Sequence, residues 1–262
     1  MGWWALGLIR AFDVTGDRGY LDSAIIIFDD FASGLGGPCN GGVYWSRERK
    51  YVNAITNELY LSIAASLANR IPSDPRYLAT ARNQWEWFKN SGMINDKNLI
   101  NDGLNGKCKN NGLQTWSYNQ GVILGGLVEL HRANSKSNPD DKSLLLQAKR
   151  IARAAIKHLS NADGILVETD KCELRSGNCG KDGQQFKGIF VRNLRYLHEA
   201  APEEEFRRFI LDQAVSVWEN NREKGREGVQ RLGVAWAGPF VKATGASQSC
   251  ALDALVAAIA VV

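Results

Sequence analysis

The chain has 262 residues, with 32 Lys and Arg against 28 Asp and Glu, a formal net charge of +4. That length suits one large domain with a sizeable core, and 44% apolar with 23% charged residues is the balance of a globular protein. So small and dispersed a charge gives no reason to expect a nucleic-acid partner, and the longest apolar run, Ala254 to Val262, is too short to span a membrane. Residues 1–12 carry neither a basic n-region nor a small-residue cleavage site, so no secretory leader is expected there.

The chain opens on a helical pattern. Apolar residues recur at Trp4, Leu8 and Phe12 and at Ala5 and Ile9, which predicts an amphipathic helix over 2–14 with that face strongly buried. Further helices are expected at 18–31, 51–69, 76–92, 116–134, 141–160, 184–200, 203–221 and 244–261. Strand signals are nearly absent; Val43-Tyr44-Trp45 reads as a short extended piece. Short connections carry turn and capping chemistry: Thr15-Gly16-Asp17, Pro72 to Pro75, Asn138 to Asp141, Ala201 to Glu204. Long connections start near 32, 94, 161 and 222, roughly one every 61–67 residues, as in a repeated supersecondary unit.

Antiparallel helices joined alternately by short and long loops gather the long loops on one edge, where chemistry usually sits. These loops are rich in glycine and aromatics: Gly34 to Trp45 with Pro38 among them, Asn101 to Gln114, and Gly225 to Phe240. Tryptophan and tyrosine in a loop need burial or something to stack on. The helices after the long loops begin with amides and rings, namely Asn53 to Glu58, Thr115 to Gln120, Gln184 to Gly188, and Gln248-Ser249. Hydroxyl-rich ligands want amide and carboxylate partners, and a sugar's apolar face stacks on rings. Capping accounts for Thr115 but not for Asn57, Tyr118 or Gln120, a turn inside apolar helices, so those are read as binding residues.

Five cysteines do not decide the compartment by number. Cys172 and Cys179 share a Gly/Ser/Lys-rich loop and are either a local disulfide or two reduced surface thiols. Their spacing and the lack of a nearby histidine argue against zinc, and no metal or other cofactor is expected. His131, His158 and His198 sit near helix C-termini, where the dipole accounts for them. Asn-x-Ser/Thr sequons are absent.

A closed ring of six helical hairpins needs twelve helices, and nine are expected here. If 2–14 is an inner helix, three helices, about 90–100 residues, would precede residue 1.

The motifs Trp3-Trp4-Ala5-Leu6, Ile9 to Phe12, Thr15-Gly16-Asp17, Gly41 to Trp45, Tyr51 to Glu58, Thr115 to Gly121, Phe186 to Arg192, Gln248-Ser249 and Ala251 to Ala254 run in order along nearly the whole chain. Together they resemble glycoside hydrolase family 76, the α-1,6-mannanases of bacteria and fungi, in the fungal form, with Cys172 and Cys179 in the expected loop. The resemblance implies an all-α, (α/α)6 six-hairpin toroid, incomplete here, forming a single glycosidase-like domain over 1–262. It implies hydrolysis of α-1,6-linked mannan or mannoprotein glycan by a retaining two-carboxylate mechanism, in a secreted or cell-wall protein, monomeric at full length. Such a mechanism needs one ionised carboxylate and one proton donor about 5–5.5 Å apart. The family places them as an Asp-Asp pair just before the Trp-Trp helix, which here would fall before Met1, so no catalytic residue is assigned and the chain is expected to be inactive. Asp29-Asp30 closes an outer helix and Asp140-Asp141 lies in a short connection; neither is expected to be catalytic. The implied glycan contacts are Asn53, Asn57, Tyr118, Asn119, Asp182, Phe186, Lys187 and Trp236. The other readings are a glycan-binding remnant without chemistry and a different six-hairpin enzyme such as an unsaturated glucuronyl hydrolase.

Overall fold

A computed structural model describes residues 1–37, 39–175, 179–223 and 228–262. Pro38 and Gly225, read above as loop residues, lie outside the described residues. Among the described residues there are nine α-helices: α1 (Gly2–Thr15), α2 (Arg18–Ala32), α3 (Ala54–Arg70), α4 (Pro75–Asn90), α5 (Ser117–Asn134), α6 (Ser143–His158), α7 (Phe186–Ala200), α8 (Glu204–Asn220) and α9 (Gly245–Val261). Short 3-10 turns cover Cys172–Leu174 and Gly183–Gln185.

Local chemistry sets most boundaries. Gly16 takes a left-handed conformation (φ 73°) and its N–H closes on Phe12, which ends α1. Asp17, Asn53 and Asp74 cap α2, α3 and α4 through their side chains, and Pro75 opens α4 where its missing N–H costs nothing. Thr244 and Ser247 form a reciprocal capping box at α9. The loops after α4 and α6 repeat one device: the Asn95 side-chain oxygen accepts from Lys97 and Leu99 N–H, and that of Asn161 from Asp163 and Ile165 N–H. Each of these turns is closed by an isolated bridge, Ile94 with Ile100 and Ser160 with Leu166.

The described residues cluster into two compact units. Unit 1 is Met1–Leu113 with Gly125–Ala148; unit 2 is Gln114–Leu124 with Lys149–Val262. In unit 1, α1 packs on α2 and α3, and α3 on α4. Helix α3 is buried from Ala54 to Ala68, as an inner helix should be. In unit 2, α7 packs on α8 and α9, and α8 on α9. Glycines let inner helices approach closely: a Cβ on Gly121 would stand 2.6 Å from Phe190 Cα, and one on Gly188 2.5 Å from the Cys250 carbonyl oxygen.

One expectation needs correction. Trp4 is not buried: α1 turns Gly2, Ala5 and Ile9 inward, while Trp4 is 72% exposed. A Cβ on Gly2 would lie 3.0 Å from Leu59 Cβ, so the small face is the one that fits against α3. Val43 to Trp45 form no bridge; among the described residues bridges occur only as isolated pairs elsewhere. Val43 is instead pinned on both backbone groups by the Asn57 side chain.

Two disulfides are formed. Cys172–Cys179 closes its local loop, and Cys39–Cys108, unforeseen in the sequence, ties the loop after α2 to the loop after α4. Cys250 is free and buried.

Candidate functional site

The candidate residues fall into two groups, one in each unit. In unit 1, Asn53 is buried and caps α3, its side-chain oxygen accepting from Thr56 N–H. Asn57 is fully buried. Its Nδ2 donates to the Val43 and Asn53 carbonyls, and its Oδ1 accepts from Val43 N–H and Gln84 Nε2. Those four bonds use the amide's whole capacity and leave nothing for a ligand. Asn57 therefore holds the Gly41–Trp45 loop on α3 rather than contacting a glycan. The same use of an amide recurs at α9, where Gln248 Oε1 accepts from Leu232 N–H at 2.9 Å. Much of the amide enrichment at inner helix starts thus serves loop backbones, whose buried polar groups must be paired.

An acidic cluster lies nearby in unit 1. The Tyr51 hydroxyl donates to Asp102 and accepts from Asn111 Nδ2. Glu58, fully buried on α3, has no hydrogen-bond partner on either oxygen among the described residues. Burial, reinforced by the Asp102 charge, pushes its carboxyl well above the usual range. Glu58 was visible in the sequence only as the end of a motif.

In unit 2, Tyr118 and Phe186 stack with ring centroids 3.9 Å apart and planes 11° from parallel, and Trp116 meets Phe186 edge-on at 5.6 Å. All three rings are partly exposed. They come from the starts of α5 and α7. Asp182 is exposed in the loop just before α7. Asn119 is fully buried, with neither amide atom paired among the described residues. Lys187 and Trp236, expected at the glycan, are interior instead. Lys187 donates to Glu173 at 2.6 Å and to the Val234 carbonyl at 2.7 Å, and its ammonium lies 5.2 Å from the centroid of the Trp236 ring. An ammonium so deep persists only because it is paired and bonded.

Behind the rings sit two buried carboxylates that the sequence reading did not single out. Glu168 accepts from Ser117 N–H at 3.1 Å and from the Ser117 hydroxyl, which supplies the cap at the start of α5. The first α5 backbone bond runs from Gln120 N–H to the Trp116 carbonyl, so Thr115, the expected cap, lies one residue outside the helix start. Burial pushes the Glu168 carboxyl up to about 7, against the lowering pull of Ser117 and Lys187. Glu173 accepts from Glu168 N–H at 3.2 Å as well as from Lys187. The cluster Cys172, Glu173 and Cys179 has the spacing of a metal site, but both sulfurs are bonded to each other and Glu173 is committed to Lys187.

The two Asp-Asp pairs are placed as surface groups. Asp29 meets Arg76 at 3.4 Å and Asp30 meets Arg47 at 2.8 Å, at the exposed end of α2. Asp141 accepts from Ser143 N–H at the start of α6.

Among the described residues, no helix is long and apolar enough to cross a membrane. The model of glycosyl hydrolase family 76 matches residues 1–261. A putative mannan endo-1,6-alpha-mannosidase of Schizosaccharomyces pombe is 28% identical over 215 residues, covering 77% of this chain and 47% of that protein. Mannan endo-1,6-alpha-mannosidase DCW1 of Candida albicans is 25% identical, covering 76% and 44%. The chain thus spans about half the length of the curated relatives it matches. An α-1,6-mannanase of Salegentibacter sp., solved with α-1,6-mannotriose as an inactive variant with two adjacent aspartates replaced, superposes with a TM-score of 0.81 at 21% identity, over 99% of this chain and 74% of that one. That likeness shows the fold class, the helical hairpins of the (α/α)6 type. The family match runs through all nine helices of the described residues, and the chain belongs to glycosyl hydrolase family 76.

Proposed function

We propose that this chain is the glycan-holding part of an endo-α-1,6-mannanase acting on α-1,6-linked mannan or mannoprotein glycan. The observation that carries the proposal is the Tyr118–Phe186 stack with Trp116 at its edge. Partly exposed rings at the starts of two helices offer a flat apolar surface to a pyranose face. The relatives support the linkage: the fungal proteins are named for endo-1,6-α-mannan cleavage, and the Salegentibacter enzyme was solved with mannotriose. Hydrolysis would follow the retaining two-carboxylate scheme. Asp29 and Asp30 are in surface ion pairs, Asp141 is at a helix start and Asp140 beside it is exposed, so residues 1–262 alone are proposed to bind without cleaving. Two formed disulfides favour an oxidising, secreted or cell-wall setting.

Calorimetric titration of residues 1–262 with α-1,6-mannotriose, and incubation with α-1,6-mannan, test this. Binding without release of oligosaccharides is expected. Oligosaccharide release abolished by replacing neither Asp-Asp pair would show that the chain holds its own catalytic carboxylates elsewhere.

A further inference from the structure

We infer that Glu168 and Glu173 are positioning residues for the aromatic platform: they tie the start of α5 to the start of α7 and thereby fix the Tyr118–Phe186 stack. The inference rests on the platform being the sugar-binding surface proposed above, but its structural half can be read without any ligand.

The two stacked rings come from different helices, and each has a neighbour in chain that reaches inward. Ser117, between Trp116 and Tyr118, donates both its N–H and its hydroxyl to Glu168. Glu168 N–H donates to Glu173 Oε2 at 3.2 Å. Glu173 Oε1 accepts from Lys187, which follows Phe186, at 2.6 Å. An unbroken path of bonds thus runs from one ring's helix to the other's, entirely through buried groups. The Cys172–Cys179 bridge brackets Glu173, with its sulfurs 3.7 and 3.9 Å from Oε2, which restrains the carboxylate in the middle of the path. Four elements face Glu168: Ser117 from α5, Glu173 from the 3-10 turn, Lys187 from α7, and the Cys250 thiol from α9, which feels the charges of both Glu168 and Lys187.

Two carboxylates beside one ammonium balance in charge only while one carboxyl keeps a proton. Burial favours Glu168 as the holder. A proton there must point at the Ser117 hydroxyl, which then accepts rather than donates, so the bond to the α5 start survives in both states. Glutamine can imitate the protonated form; alanine cannot.

The test compares Glu168→Ala, Glu168→Gln and Ser117→Ala with the unaltered chain, by near-ultraviolet circular dichroism of the rings, far-ultraviolet dichroism for the helices, and titration with α-1,6-mannotriose. Glu168→Ala is expected to keep its helices, lose much of the ring signal, and weaken mannotriose binding at least tenfold. Glu168→Gln is expected to restore both to within about threefold of the unaltered chain. Ser117→Ala, which deletes one hydroxyl and no charge, should weaken binding a few-fold and shift the ring signal the same way; it decides the matter if Glu168→Ala does not fold. A folded Glu168→Ala, or Ser117→Ala, with unchanged ring spectrum overturns the inference. If the ring spectrum responds while mannotriose binding does not, and Tyr118→Ala also binds normally, the positioning role stands and the sugar-platform reading falls.

Discussion

Replacing Gly188 by alanine should loosen the contact between α7 and α9. A methyl there would stand 2.5 Å from the Cys250 carbonyl oxygen and 2.8 Å from its Cα, against 3.4 Å for ordinary contact. Both are backbone atoms of a helix and cannot swing aside, so the helices must part by roughly 1 Å or tilt. Overpacking of this kind costs about 1–3 kcal/mol. Alanine returns up to about 1 kcal/mol in helix propensity, which reduces the net loss but does not reverse it. Gly7 is the control. It lies inside α1, and a methyl there meets nothing within 4 Å. Gly7→Ala should therefore stabilise by about 0.5–1 kcal/mol. Equilibrium unfolding in guanidinium, read at the midpoint with unchanged slope, measures both. Opposite shifts are expected. Shifts of the same sign, or a Gly188→Ala protein as stable as the parent, would refute the argument from close approach.

Two further effects should be measurable. The Glu168 carboxyl titrates near 7 folded and near 4.5 unfolded, so the folded chain holds a proton the unfolded chain has released. Its contribution is fully present below about 4.5 and is lost as pH rises to about 7, by about 3 kcal/mol in total. Glu168→Gln should flatten that part of the stability profile, leaving the part due to Glu58. Cys39–Cys108 closes a separation of 69 residues and Cys172–Cys179 one of 7. Chain entropy predicts losses of about 4 and about 2.5 kcal/mol when paired serine variants remove them, so the first pair should lower the unfolding midpoint more. Equal losses would contradict the entropic account.

The helices were legible because their signals are local. Gly16, Asp17 and Asp74 mark ends and starts within a few residues of where α1, α2 and α4 have them. What escaped the sequence depends on partners far along the chain. The pattern around Trp4 is apolar on more than one side, and only the fit of Gly2 against Leu59 decides which face turns in. Cys39 has no local sign of Cys108. The α5 cap comes from Glu168, 51 residues away, where a local reading could only offer Thr115. Lys187 and Trp236 look like ligand residues by type, yet pairing with Glu173 and packing beneath the ammonium put both in the core. Tyr118 stands out locally as a ring a turn inside an apolar helix, whereas Phe186 was implied only by the family resemblance; the stack between them joins residues 68 apart in the chain.

Under the proposed function the Tyr118–Phe186 stack holds α-1,6-mannan. Calorimetric titration of α-1,6-mannotriose into residues 1–262 and into the Tyr118→Ala and Phe186→Ala variants tests that role. Binding by the parent, weakened at least tenfold in each folded variant, is the predicted result; affinity unchanged in both would contradict it.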